Sequence, residues 1–154
     1  MTKTRLRAER LFAVALNFNA VTLSDERFRV FRQNNDDVLL ELTAKGELLV
    51  IAPTYENFGP REQDIYTLIN SWAKYFAAGP TFDSSTVFRL PNGARRSPIA
   101  AWIRREKWEA LSQEEQEGVV PLCPDFVLEI RHSAFRLAFL QEKMDQTEPS
   151  SGFC

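Results

Sequence analysis

Pro124-Asp-Phe-Val-Leu-Glu-Ile-Arg131 alternates in a way that decides how this chain is read. Phe126, Leu128 and Ile130 fall on one side of an extended segment, and Val127, Glu129 and Arg131 fall on the other. That period predicts a strand over 126–131. It also sets one carboxylate, Glu129, on an otherwise apolar strand, where an unpaired charge is costly to bury. A pairing of Glu129 with Arg131 is the ordinary explanation, although the two Cα atoms are about 6.5 Å apart at strand geometry. A second short apolar stretch, Arg96-Ser-Pro-Ile-Ala-Ala-Trp-Ile103, predicts another strand over 98–103.

Outward from these strands, the chain alternates helical and extended signals. Thr22 or Ser24 can cap a helix running to about Gln33, with Asp25 and Glu26 in its first turn, where the dipole favours negative charge. Asn34-Asn-Asp-Asp37 breaks it. Segments 38–42 and 47–52 read as two strands around Ala44-Lys-Gly46, a hairpin. Pro60 suits the first turn of a longer helix, in which Ile65, Leu68, Ile69, Trp72 and Phe76 form an apolar stripe and Gly79-Pro80 stops the chain. Extended stretches at 81–82 and 87–90 flank the turn Pro91-Asn-Gly93. Ser112-Gln-Glu-Glu115 is a capping box that opens a brief helix ending near Gly118. A last helix is predicted over 133–146. This order of elements predicts an α/β or α+β fold, a mixed sheet flanked by helices. Residues 1–20 lack a period and read as a leader without fixed structure, 21–146 as the domain, and 147–154 as a flexible tail.

Composition narrows the function classes. The chain has 154 residues, 44% apolar and 26% charged, which suits one soluble domain and excludes fibrous or disordered classes. No segment approaches the ~20 apolar residues of a membrane-spanning helix, and the apolar run after Arg10 is too short for a signal peptide. Two cysteines, Cys123 and Cys154, suggest neither a disulfide framework nor a metal knuckle, so a reducing, cytoplasmic setting is expected. The net charge of −2 gives no general attraction to nucleic acid, yet Arg89, Arg95, Arg96, Arg104, Arg105 and Lys107 cluster against the single acid Glu106. That run is either a solvated arginine-rich loop or a surface for phosphates.

Several phrases together carry a family resemblance. They are Glu41-Leu-Thr-Ala-Lys-Gly-Glu-Leu-Leu-Val-Ile-Ala-Pro53, Phe82-Asp-Ser-Ser-Thr86, Leu90-Pro-Asn-Gly-Ala94 with Arg96-Ser-Pro98, Pro121-Leu-Cys-Pro-Asp-Phe-Val127 and Leu140-Gln-Glu-Lys-Met144. From about Leu23 to Met144 the chain resembles the bacterial restriction-endonuclease family of the PD-(D/E)xK nuclease superfamily. The resemblance implies a restriction-endonuclease-like fold and Mg²⁺-dependent cleavage of phosphodiester bonds in DNA. It implies metal-binding roles for Glu129 and Glu41, and a catalytic lysine at Lys143, moved from the strand to the following helix. Such carboxylates hold metal ions that polarise the scissile phosphate and acidify a bound water, and the lysine stabilises developing charge. Taken singly, Glu41 also reads as a solvated strand-edge acid, and Lys143 as a cation suited to a helix C-terminus.

Departures from the pattern bear on activity. The position after Pro98, where the family carries a metal-binding aspartate, is Ile99. Arg131 stands where a strand lysine is usual; it can donate to phosphate but cannot act as a base. Asp125 lies four residues before Glu129, about 13 Å away at ~3.3 Å per residue, too far to share a metal, and reads as a strand-opening residue. Asp83 could stand in only if its strand comes close. His132, the one histidine, reads as a turn or packing residue. The family continues beyond the length of this chain, so a C-terminally shortened fold is expected, with an unpaired sheet edge that favours a homodimer. The expected function is therefore a DNA endonuclease weakened or inactivated at Ile99. The alternative is a silent nuclease-like domain binding nucleic acid or a partner protein.

Overall fold

The chain's architecture follows from a computed structural model that describes residues 13–51, 58–76, 78–130, 141 and 143–145. Helix α1 (Asp25–Gln33) begins where the sequence signals place it. The Ser24 hydroxyl accepts a hydrogen bond from the Arg27 backbone N–H, and Phe28 is the residue the helix buries. Strands β2 (Leu39–Leu42) and β3 (Glu47–Ile51) form the expected hairpin, with Leu42 opposite Leu48. Gly46 closes its turn at φ 76, a left-handed conformation that favours glycine.

The leader expected over 1–20 does not hold over its last part. Residues Ala13–Asn17 form strand β1, which pairs antiparallel with β3 along its whole length, from Ala13 opposite Ile51 to Asn17 opposite Glu47. Its apolar side chains Val14 and Leu16 remain exposed, so backbone pairing holds the strand and its sequence carries little burial pattern.

Helix α2 (Phe58–Tyr75) lies against β4 (Thr81–Asp83) and β7 (Ala100–Trp102). The Thr81 hydroxyl donates to Asn70 Oδ1, and Trp72 stacks edge-on to Trp102 with ring centroids 5.4 Å apart. The helical stripe is present, but it is not a core face: Leu68 is 71% exposed, and Trp72, Tyr75 and Phe76 also face outward. Ala73 is the residue the helix buries fully.

The remaining strands are short: β5 (Phe88–Arg89), β6 (Arg95–Arg96) and β8 (Phe126–Leu128). Helix α3 (Arg105–Glu109) has no side-chain cap, whereas α4 (Gln113–Glu117) carries the full capping box between Ser112 and Glu115. Gln141 and residues 143–145 are helical, within the span predicted for the last helix, and residues 131–140 fall outside the described set.

The fold is α+β. Where one mixed sheet was expected, the described residues form two antiparallel sheets, ordered β1-β3-β2-β6-β5 and β4-β7-β8, with a parallel bridge between Phe88 and Val120. One core cluster gathers Phe28, Leu40, Leu42, Leu48, Val87 and Val119 beneath α1. The other gathers Phe88, Leu90, Ala101, Ile103 and Val120, with Phe82 and Val127 packed against it. Cys123 is buried in this second cluster and is disulfide-bonded, contrary to the sequence expectation. Two cysteines without a recognisable framework gave no signal for it. The chain crosses from one sheet to the other through Ser97-Pro98-Ile99, between β6 and β7.

Candidate functional site

Three of the residues expected to act together do meet, at that crossing between the sheets. Glu41 is central in β2, whose two faces are both buried, and its side chain is fully enclosed. Glu41 Oε2 accepts a hydrogen bond from Arg96 Nη1 at 3.1 Å, and Oε1 accepts one from the Ser97 backbone N–H at 2.9 Å. Lys143, from the C-terminal helical residues, brings its ammonium 2.7 Å from Glu41 Oε1 and 2.6 Å from Glu129 Oε1. The same ammonium donates to the Ser97 carbonyl oxygen at 3.1 Å. The Glu129 contact is a close charge pair rather than an aligned hydrogen bond, since Oε1 has no donor in line.

Register explains why Glu129 points inward. In the second sheet, Ala101 pairs with Val127 and Ala100 with Leu128. Val127 packs on the core, so Glu129, two residues on, faces the same side. Carried one residue further, the register sets Ile99 opposite Glu129, where cross-strand Cβ atoms are about 4.5–5.5 Å apart. Residue 99, where the resemblance implied an aspartate, would therefore adjoin the cluster, and Ile99 brings no oxygen to it.

The electrostatics follow from burial and pairing. Burial alone raises a carboxyl pKa, but Lys143 and Arg96 outweigh it at Glu41, which is held below the usual carboxylate range. At Glu129 burial prevails over the pull of Lys143, and Glu41 adds repulsion, so the carboxyl is pushed up to about 7. Burial works to discharge Lys143, yet the two carboxylates raise its pKa above the ordinary lysine value. Arg32 is a further member that the sequence did not reveal. Its guanidinium donates to Ser97 Oγ at 3.1 Å and to the Ser84 carbonyl at 3.4 Å, and burial lowers its pKa against the field of Glu41.

Other expected residues lie elsewhere. Arg96 was expected on a nucleic-acid surface, but it is buried against Glu41 because β6 points it into the sheet junction. Arg95 is likewise withdrawn: it pairs with Asp25, donates to the Leu23 carbonyl and lies over the Phe28 ring. Arg89 pairs with the same Asp25, and Arg105 pairs with Glu109. Asp125 accepts from the Arg104 backbone N–H and Nε, with Lys107 at 3.6 Å, which fits a structural residue opening β8. Asp83 is exposed and accepts from the Ser85 backbone N–H, so it does not replace the missing carboxylate. Arg131 and His132 lie outside the described residues.

The donor set does not fit a divalent metal. Mg²⁺ needs oxygen ligands at 2.0–2.1 Å in near-octahedral array. Here both oxygens of Glu41 have cationic or N–H partners, and a lysine ammonium fills the space between the two carboxylates. Among the described residues no three His, Cys, Asp or Glu side chains converge as a metal site.

The buried acids and the lysine thus meet at the junction of two short-stranded sheets in an α+β fold. The chain belongs to the Uma2 family, described as "Putative restriction endonuclease", which it matches over residues 25–146. No curated protein matches the chain. Among the described residues, no helix is long and apolar enough to cross a membrane.

The raised pKa of Glu129 gives a pH signature. Between about 4.5 and about 7 the folded protein retains a proton that the unfolded chain has released, so the Glu129 contribution to stability is full below 4.5 and lost as pH rises through 7. Glu41, with its lowered pKa, acts in the opposite sense and below that window. Urea midpoints across pH 4.5–7 are expected to fall more steeply in the wild type than in Glu129→Gln. Parallel pH profiles would contradict the assignment.

Proposed function

We propose that this chain is a nuclease-like domain of the Mg²⁺-dependent phosphodiesterase class, derived from an enzyme acting on DNA, in which hydrolysis is weak or lost. The observation that carries the reading is the Lys143 ammonium between Glu41 and Glu129, with Ile99 in place of the aspartate. Metal-assisted hydrolysis needs an ion that polarises phosphate and acidifies water. In this centre the two acids are neutralised by Lys143 and Arg96, so the negative charge that would recruit the ion is already balanced within the protein. Contact with DNA would fall to the more exposed cations Arg89, Arg104, Arg105 and Lys107, whose surface ion pairs are weak enough to open. Plasmid DNA incubated with Mg²⁺ is expected to be cleaved no faster by the wild type than by Glu129→Ala. Robust cleavage abolished in Glu129→Ala would overturn the reading. Calorimetry of Ile99→Asp is expected to show Mg²⁺ binding that the wild type lacks; no gain would mean that residue 99 does not face the centre.

A second reading, a silent domain that binds a protein partner or a second copy of itself, draws on the exposed α2 side chains Leu68, Trp72, Tyr75 and Phe76. Its expected signature is concentration-dependent association in sedimentation velocity, reduced in Leu68→Asp. A monomer at every concentration would remove a homodimer from this reading.

A further inference from the structure

We propose that the C-terminal end of helix α2 and the start of α3 together form a stacking platform for single-stranded DNA, with unpaired bases lying on Tyr75 and Phe76 and the strand's phosphates on Arg104 and Arg105. Tyr75 is 84% exposed and Phe76 62%, at the end of a helix whose buried residue is Ala73. Four rings run in a row from solvent to sheet. Tyr75 meets Phe76 edge-on with centroids 4.9 Å apart, Phe76 meets Trp72 at 5.9 Å, and Trp72 meets Trp102 at 5.4 Å. The sheet fixes the inner end of the row: Trp102 is paired with Thr81 and with Phe126, and the Thr81 hydroxyl bonds Asn70 of α2. Paired residues of antiparallel strands point to one side, so Phe126, 45% exposed, extends the aromatic surface.

The backbone brings positive charge to the same place. The Arg105 N–H donates to the Ala78 carbonyl at 3.2 Å, and the Ile103 N–H donates to the Pro80 carbonyl at 3.1 Å. Gly79, at φ 125, allows this approach: a Cβ there would collide with the Ile103 carbonyl oxygen and stand 2.7 Å from the Arg105 nitrogen. Arg104 follows Trp102 by two residues and is extended, at φ −61 and ψ 146, while Ile103 between them is buried. That alternation sets Arg104 on the Trp102 side. The Arg104 and Arg105 side chains are 61% and 51% exposed, so their ion pairs with Asp125 and Glu109 are of the weak kind that a strand phosphate can displace. Lys74, also exposed, precedes Tyr75. Cations interleaved with exposed rings are unlike the centre of a protein interface, which is depleted of charge. They match the combination that holds single strands, rings for bases and cations for phosphates. A duplex keeps its base faces stacked on one another and offers none to a ring. The choice of DNA over RNA rests on the nuclease-like reading; the stacking geometry does not.

Binding of a labelled oligo(dT) of about 15 nucleotides, followed by fluorescence anisotropy at low salt, tests this on the full chain. Tyr75→Leu and Phe76→Leu each keep an apolar side chain and remove the ring. Each is expected to weaken binding on the order of tenfold, the loss of one base–aromatic stack, with Tm unchanged because both positions are exposed. Arg104→Gln is expected to flatten the logarithmic dependence of affinity on salt by about 0.7, one phosphate contact on a single strand. The same strand annealed to oligo(dA) is expected to bind more weakly and to be indifferent to both leucine changes. No binding at low salt, equal affinity for strand and duplex, or oligo(dT) binding untouched by both leucine changes overturns the platform. Tighter binding of oligo(rU) overturns the choice of DNA. A dimer in sedimentation velocity that oligo(dT) does not dissociate, and that both leucine variants retain, assigns the face to a second copy instead. Failure here is distinct from failure of the nuclease-like reading, which plasmid cleavage by the wild type and Glu129→Ala decides on its own.

Discussion

A lysine ammonium held away from water between two carboxylates is the constraint on which this structure turns. Moving such charges out of water costs several kcal/mol per ion, and only close, fully partnered geometry offsets it. The centre meets that condition by drawing each partner from a different place. Glu41 comes from the middle of the first sheet, Arg96 and Ser97 from the crossing strand, Glu129 from just beyond β8, and Lys143 from the C-terminal helical residues. The cluster thereby ties both sheets and that last segment to a single point. Removing one member leaves an uncompensated buried charge rather than a lost surface contact.

The same constraint limits the chemistry. A nuclease of this class keeps clustered acids available for an ion that enters with substrate phosphates. Here both oxygens of Glu41 have N–H or ammonium partners, and Glu129 Oε1 lies 2.6 Å from the Lys143 ammonium. Extending the β7–β8 register by one residue would set residue 99 across from Glu129, where a carboxylate would add negative charge to the cluster. The cations divide between interior and surface. Arg95 and Arg96 serve the interior, and Arg89, Arg104, Arg105 and Lys107 are the more accessible cations.

What the sequence disclosed was mostly local. The α1 cap at Ser24, the β2–β3 hairpin with Gly46 and the Ser112 capping box depend on neighbouring residues, and each appears where local rules place it. The two-residue strand β6 depends on partners distant in sequence, and β1 exposes the side chains that would have signalled it. Glu41, Glu129 and Lys143 were reached through resemblance, because nothing local tells a buried ion pair from a solvated acid or a helix-end lysine. Arg96 shows the converse error: a run of like charges looks like a surface until the fold supplies an acid for each cation. The stripe on α2 was a true period, and helical spacing shows that a face exists and not what covers it.

A double-mutant cycle tests the central interaction most directly. Wild type, Glu41→Gln, Lys143→Met and the double variant are unfolded by urea in EDTA. Each single change is expected to cost on the order of 3–5 kcal/mol, because it strands the opposite charge in the interior. The double variant is expected to lose less than the sum, by about 1–3 kcal/mol, the range measured for residues in contact. Strictly additive losses would mean that Lys143 and Glu41 do not hold one another, and that this centre does not join the two sheets through their charges.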